Sequence, residues 1–299
     1  IWPLQHKDLS EAVWRISGNQ LSQQKSAGQR LVKGTNRSQD QLRAMSSRYP
    51  SDLTDAEWKR IEPIFDRFRF DEHDPRELIN AVFYLVKSGC QWRMLPEEFP
   101  PWQTVYYHFR KWRKLNLLQR LCDRIRRAAR VAAGRDSSPS AAVIDTQSVD
   151  TERQGGPDRG RDPNKQVTGR KRHVIVDTLG LLLAVVVHSA NENDAQSAPS
   201  VLKQLLGKVP RLKVIFADKG YKGLPGGMLW RQVHWLISVV EREKDGSGFD
   251  PLPKRWVIER TFGWFGGYRR LIRDYESRPE MSEAMVRAAM IRLMVPRIT

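Results

Sequence analysis

The sequence predicts an α/β protein: a mixed sheet flanked by helices, preceded by a helical segment. Three observations predict it. Apolar residues between positions 54 and 112 recur at helical spacing; from Ala141 the text turns into the strand-like runs AAVID, HVIVDT and LLLAVVVH; beyond Asp194 helix-like and strand-like stretches alternate. Three adjacent strands in a meander, then alternating helix and strand, is the order used by RNase H-like folds. The expected division is a disordered extension over 1–44, a helical domain over 45–138 and an RNase H-like domain over 139–299.

Residues 1–44 are polar, rich in Gln, Ser and Gly, and without sustained periodicity. At Thr54 a capping box begins, with Glu57 three residues on and Trp58, Ile61, Ile64 and Phe65 following at helical spacing. In RELINAVFYLVKSG the stripe Leu78, Val82, Leu85 and Val86 ends at Gly89. A loop with Pro96, Pro100 and Pro101 leads to WQTVYYHFRKWRK, with Trp102, Val105, Tyr106, Phe109 and Trp112 inward and Arg110, Lys111, Arg113 and Lys114 outward. Two helices, a turn and a basic aromatic helix make a helix-turn-helix-like unit suited to DNA, or an ordinary bundle with a solvated charged face. A second basic helix, RLCDRIRRAARVAAGR, leads into the strands. After them come the helix DAQSAPSVLKQLLGK, the strand KVIFAD, the turn GYKG, the strand WLISVV and a final long helix through Glu259.

The 299 residues carry a formal charge of +17, with 51 Lys and Arg against 34 Asp and Glu. The excess is spread over both halves, which points to a long polyanion, nucleic acid first. Cys90 and Cys122, the two cysteines, make neither a disulfide framework nor a zinc motif, so a reducing cytoplasm is expected. The apolar run LGLLLAVVV is too short to span a bilayer, so no membrane partner is expected.

Asp145 ends AAVID, Asp218 ends KVIFAD, and Glu259 lies within RWVIERTFGWF. Carboxylates from two strand ends and a neighbouring helix can share hard divalent cations, Mg²⁺ or Mn²⁺, because their donors are all oxygen. Two such ions serve phosphoryl transfer by activating the attacking oxygen and stabilising the departing one. Taken singly, each Asp also reads as a turn or helix cap, and Glu259 as a surface residue beside Arg255 and Arg260. Asp177 is a fourth candidate acid, and Asp194 reads as a helix N-cap. Lys165, Arg170, Lys171 and Arg172 sit in the basic stretch RGRDPNKQVTGRKRH, expected as a loop along a DNA backbone, or else as a solvated hairpin. Arg269, Arg270 and Arg273 are expected to grip phosphate near the acids.

The stretches RYPSDLTDAEWKRIEPIF, SGCQWRMLPEEFPPWQTVYYHFRKWR, IDTQSV, GRKRHVIVDTLGLLLAVVVHSA, FADKGY and RWVIERTFGWFGGYRRLIRDYE together resemble bacterial DDE transposases of the insertion-sequence-five family. The resemblance runs from about Arg48 to Pro296. It implies an RNase H-like catalytic domain behind a helical DNA-binding region, with Asp145, Asp218 and Glu259 as catalytic, metal-holding acids. It also implies terminal inverted repeats and target DNA as substrates, a dimer or larger assembly on DNA, and no large insertion between Val240 and Glu259. Asp150, Lys219, Lys222 and Glu241 depart from the family's pattern. The alternative functions are a nuclease of similar fold that cuts without joining, and a catalytically silent DNA-binding remnant.

Overall fold

The computed structural model describes residues 48–65, 73–152, 156, 158–222, 224, 235–239 and 255–299. The expected extension over 1–44 lies outside the described residues, as do Glu241 and most of the span between Val240 and Glu259.

Helix α1 (Asp55–Phe65) opens on the anticipated capping box: Glu57 N–H donates to Thr54 Oγ1 at 3.2 Å and Thr54 N–H to Glu57 Oε2 at 2.9 Å. Helix α2 (Pro75–Ser88) is capped by Asp74, which accepts from Arg76 N–H, and stops at Gly89, whose φ of +76° suits a residue without Cβ. Helix α3 (Trp102–Lys114) buries Val105, His108, Phe109 and Trp112. Helix α4 (Leu117–Ala132) follows after Asn116 in the left-handed region.

The sheet is built from β1 (Ala141–Asp150), β2 (Gly160–Asp162), β3 (Val167–Asp177), β4 (Leu182–Ser189), β5 (Val214–Ala217) and β6 (Leu236–Val239). The order is β2-β3-β1-β5-β6, and β4 pairs with β3 over the stretch that β2 leaves free. Strands β1, β3 and β4 form the antiparallel meander, while β5 and β6 join in parallel. This is the RNase H-like arrangement, with helix α5 (Asp194–Lys203) between β4 and β5.

One sheet face, with Val143, Val174, Val176, Val185 and Val187, packs into a core shared with α1 to α4 and with α6 (Arg255–Gly266). The same core takes in the short α7 (Arg269–Ile272) and α8 (Pro279–Met294). α8 is buried nearly all round, as its Ala- and Met-rich sequence permits. The other face, with Ala142, Ile144, Ile175 and Ile215, packs on α5. Residues 45–299 form one compact unit, and the helical segment shares its core with the sheet.

Three local expectations change. β1 continues to Asp150, so Asp145 lies in mid-strand rather than at a strand end, because β3 pairs with it along its whole length. The last long helix is interrupted at Gly266–Gly267 and resumes only as α7 and α8. The cap of α5 is Asn193, which accepts from the N–H groups of Ala195 and Gln196, and this frees the Asp194 carboxylate for other partners.

Candidate active site

Strand register places the first two acids. In the parallel β1–β5 pair, Ala141, Ala142 and Val143 lie opposite Val214, Ile215 and Phe216. Two residues further, the same offset sets Asp145 beside Asp218, across a strand spacing of about 4.8 Å. Period-two alternation gives Asp145 the face of Val143, the face that α6 covers.

Their electrostatics reflect that closeness. Burial pushes the Asp145 carboxyl up to about 6, and the Asp218 charge adds to the rise. The Thr146 N–H, donated to Asp145 Oδ1 at 2.7 Å, opposes it, as do the charges of Lys165 and Arg255. Asp218 Oδ1 accepts from Gly220 N–H at 2.9 Å and so caps a 3₁₀ turn over Lys219–Tyr221.

Behind the acids lies a polar layer. Tyr221 closes the turn that Asp218 opens, and its hydroxyl is hydrogen-bonded to His173 Nε2 at 2.8 Å, both side chains being buried. Burial holds His173 neutral, down at about 3. Burial, then the charges of Asp145, Asp194 and Asp218, lift the Tyr221 hydroxyl well above its usual range. Thr146 Oγ1 donates to Asp194 Oδ2 at 3.0 Å, and Lys171 Nζ donates to Asp194 Oδ1 at 2.8 Å. Exposed Lys165 reaches over to donate to Thr146 O at 3.0 Å.

Glu259 sits on the outer side of α6, its side chain 56% exposed, and pairs with Arg255 one turn earlier at 3.1 Å. Arg255 is the link between this helix and Asp145, since its charge acts on that carboxyl. Among the described residues no three His, Cys, Asp or Glu side chains form a group that could hold a metal ion. The structure thus brings Asp145 and Asp218 together and leaves Glu259 beside Arg255. The pair itself fits a hard divalent cation: two oxygen-only ligands share a site where one is raised by burial and by the other's charge, and a cation relieves both penalties.

The basic residues divide sharply. Arg110 and Lys114 are exposed on α3 and Lys111 and Arg113 half-buried there, with Arg110 over the Tyr106 ring and Lys111 over Tyr107. Arg269 and Arg273 are exposed at α7. Arg170, Lys171 and Arg172 are corrected: they belong to strand β3, not to a loop, and are buried. Arg170 binds Asp274 at 3.2 Å and the carbonyls of Glu276 and Ser277. Arg172 donates to Leu271 O at 2.6 Å and Gln147 Oε1 at 3.3 Å. Arg270, also corrected, binds Glu276 and Cys90 O. Their donors face inward to acids and carbonyls: Arg170 and Arg172 tie α7 and the loop after it to the sheet, Lys171 binds Asp194 and Glu192 O at the start of α5, and Arg270 fastens α7 to the chain at Cys90. Asp177 is likewise structural: it takes an ion pair from Arg130 at 2.7 Å and the N–H groups of Leu179 and Leu181.

The partnership of Tyr221 and His173 escaped the sequence reading. The text FADKGY puts Tyr221 three residues past Asp218, which marks a turn, but nothing local connects it to β3.

Comparison with known proteins agrees with this architecture. A family model described as "Transposase DDE domain" matches residues 136–294, and one described as "Putative transposase of IS4/5 family" matches residues 53–122. A Burkholderia cepacia protein named "Putative transposase for insertion sequence element IS402" is 29% identical over 147 residues, covering 46% of this chain and 69% of that one. No solved structure matches the chain. With the domain model spanning more than half its length and the RNase H-like sheet beneath it, the chain belongs to the DDE transposases of bacterial insertion sequences.

Proposed function

We propose that this transposase binds the terminal inverted repeats of its own element, cuts there, and joins the freed 3′ ends to target DNA. The observation that carries the reading is the register of β1 on β5, which lays Asp145 beside Asp218 on the face covered by α6. Asp145 and Asp218, with Glu259 swinging from Arg255, are the residues that would hold Mg²⁺ or Mn²⁺. When bound, such ions supply activation of the attacking oxygen and neutralisation of charge at the reacting phosphate. Hydrolysis and strand transfer are both in-line displacements at phosphorus, so one site serves both.

The chain's own groups supply the rest. Thr146 N–H orients the Asp145 carboxylate, and the 3₁₀ turn orients that of Asp218. Lys165, held over Thr146 O, stands near enough to Asp145 to act on its charge and is placed to meet a phosphate there. Arg110, Lys111, Arg113 and Lys114 on α3, with Arg269 and Arg273, are the proposed contacts to the duplex. A second copy of the chain, one for each transposon end, completes the assembly.

The test is cleavage and joining of DNA bearing the element's own ends, with Mg²⁺ supplied, comparing the parent with Asp145→Ala. Parental joining to target that vanishes in Asp145→Ala supports the reading. Cutting without joining would favour a nuclease, and an equally active variant would remove Asp145 from the chemistry.

A further inference from the structure

Outside the carboxylate cluster, α6 carries a column of alternating rings and guanidinium groups. Arg260 lies 4.7 Å from the Trp256 ring centroid and 4.9 Å from that of Trp264, and Arg297 lies 4.8 Å from Trp264. Arg260 donates to Leu179 O at 2.9 Å, while its Nε is buried without an acceptor. Among the described residues neither Arg260 nor Arg297 forms an ion pair, in contrast to Arg130, Arg170 and Arg270. Burial, and then the charge of Arg260, lower the Arg297 pKa, against the opposing charges of Asp177 and Tyr268. The two arginines border a groove of about 360 Å³ whose other walls include Ala129, Ala133, Leu179 and Leu181, and no carboxylate lines it.

Two cations gathered on an apolar wall repel each other; Asp177, whose charge reaches Arg297, is already paired with Arg130, and an arriving anion relieves the repulsion. Arginine's planar fork matches phosphate oxygens, and stacking on rings holds the fork in place. Trp256 is 50% exposed and stands next to Arg255, whose charge reaches Asp145. At 1.5 Å per residue, Arg260 lies about 7 Å and Trp264 about 13 Å further along the helix than Arg255. With a rise of about 3.4 Å per nucleotide, that is roughly two to four nucleotides beyond Arg255, whose charge acts on Asp145.

We infer that Arg260 and Arg297 form a phosphate seat for the DNA strand flanking the cut, with the Trp256 ring offered to an unpaired base of that strand. The inference rests on the transposase reading above and adds a binding site to it. An unpaired strand suits the site because ring stacking accepts any base, while the groove presents charge for the backbone.

The test is DNA binding in EDTA between 50 and 200 mM salt, using end-bearing duplex with and without a four-nucleotide single-stranded flank. Arg297→Gln is expected to lower the slope of log affinity against log salt by about 0.7 and to weaken binding about ten-fold at 50 mM salt, on flanked DNA only. Arg297→Lys keeps the charge and so the salt slope, but loses the stacked fork and recovers only part of the affinity. Lys203→Gln, an exposed change on α5 at the opposite sheet face, leaves the slope unchanged. Parental slope and affinity in Arg297→Gln, or an equal loss on flanked and unflanked DNA, overturns the seat. Joining by the parent is scored separately with Mg²⁺, so a failure of the transposase reading appears there and not in the metal-free comparison.

Discussion

Asp145 is built against its own charge, and replacing it reads out how strongly. In the folded chain its carboxyl titrates at about 6 rather than 3.8, because burial and Asp218 disfavour the ionised form. Each unit is worth about 1.4 kcal/mol, so above pH 6 the ionised side chain costs the metal-free fold about 3 kcal/mol. The sign follows from the raised pKa: the cost is absent below the unfolded value, grows as pH rises through the interval between the two values, and is complete above the folded one. Asp145→Asn keeps an oxygen for the Thr146 N–H and removes the charge. It is therefore expected to stabilise the protein in EDTA by about 2–3 kcal/mol at pH 7.5, with the gain shrinking to about 1 kcal/mol near pH 4.5. Urea denaturation at the two pH values, parent against variant, measures it. A gain of the same size at both pH values, or none at pH 7.5, would refute the argument that the two carboxylates repel across the β1–β5 register. The same variant is expected to lose joining, so the residue would trade stability for chemistry.

Three further outcomes are expected. Arg170→Met strands Asp274 and two carbonyls in the core and should cost about 3–5 kcal/mol in urea denaturation, while the folded fraction binds DNA with an unchanged salt slope; a reduced slope would restore Arg170 as a phosphate contact. Tyr221→Phe removes the bond to His173 and should cost about 1 kcal/mol in stability, lower the joining rate roughly ten-fold and spare DNA affinity, because the turn holding Asp218 loosens; an unchanged rate would show that the turn holds without it. Glu259→Gln should abolish Mg²⁺-dependent joining yet shift stability by less than about 0.5 kcal/mol, since its pair with Arg255 is solvent-exposed; retained joining would free Glu259 from the site.

The buried arginines show why charge alone misleads in this chain. GRKRH reads as a basic run, yet in β3 every residue of it is covered, because β1 flanks one edge and β4 the other while helices lie over both faces. A cation in such a strand survives only with internal acceptors: Asp274 and the carbonyls of Leu271, Glu276 and Ser277 serve Arg170 and Arg172, and Asp194 with Glu192 O serves Lys171. Arg170 and Arg172, which read as a DNA grip, are therefore the fastening that seats α7 on the sheet, close to the exposed Arg269 and Arg273.

Local chemistry alone determined much of this protein. The Thr54–Glu57 cap, the stop at Gly89, and the strand-like runs of the meander and of KVIFAD all follow from hydrogen-bonding groups and apolar periods within a few residues of each other. The two aspartates could be picked out for the same reason, since each closes an apolar strand-like run. Tertiary structure alone decided that Asp145 and Asp218 share a register position, that Glu259 turns to Arg255, that Tyr221 reaches His173, and which arginines face water. Those outcomes depend on which strand lies beside which and on how many buried acceptors a distant loop brings, and a contact between residues separated by tens of positions leaves no periodic mark on either.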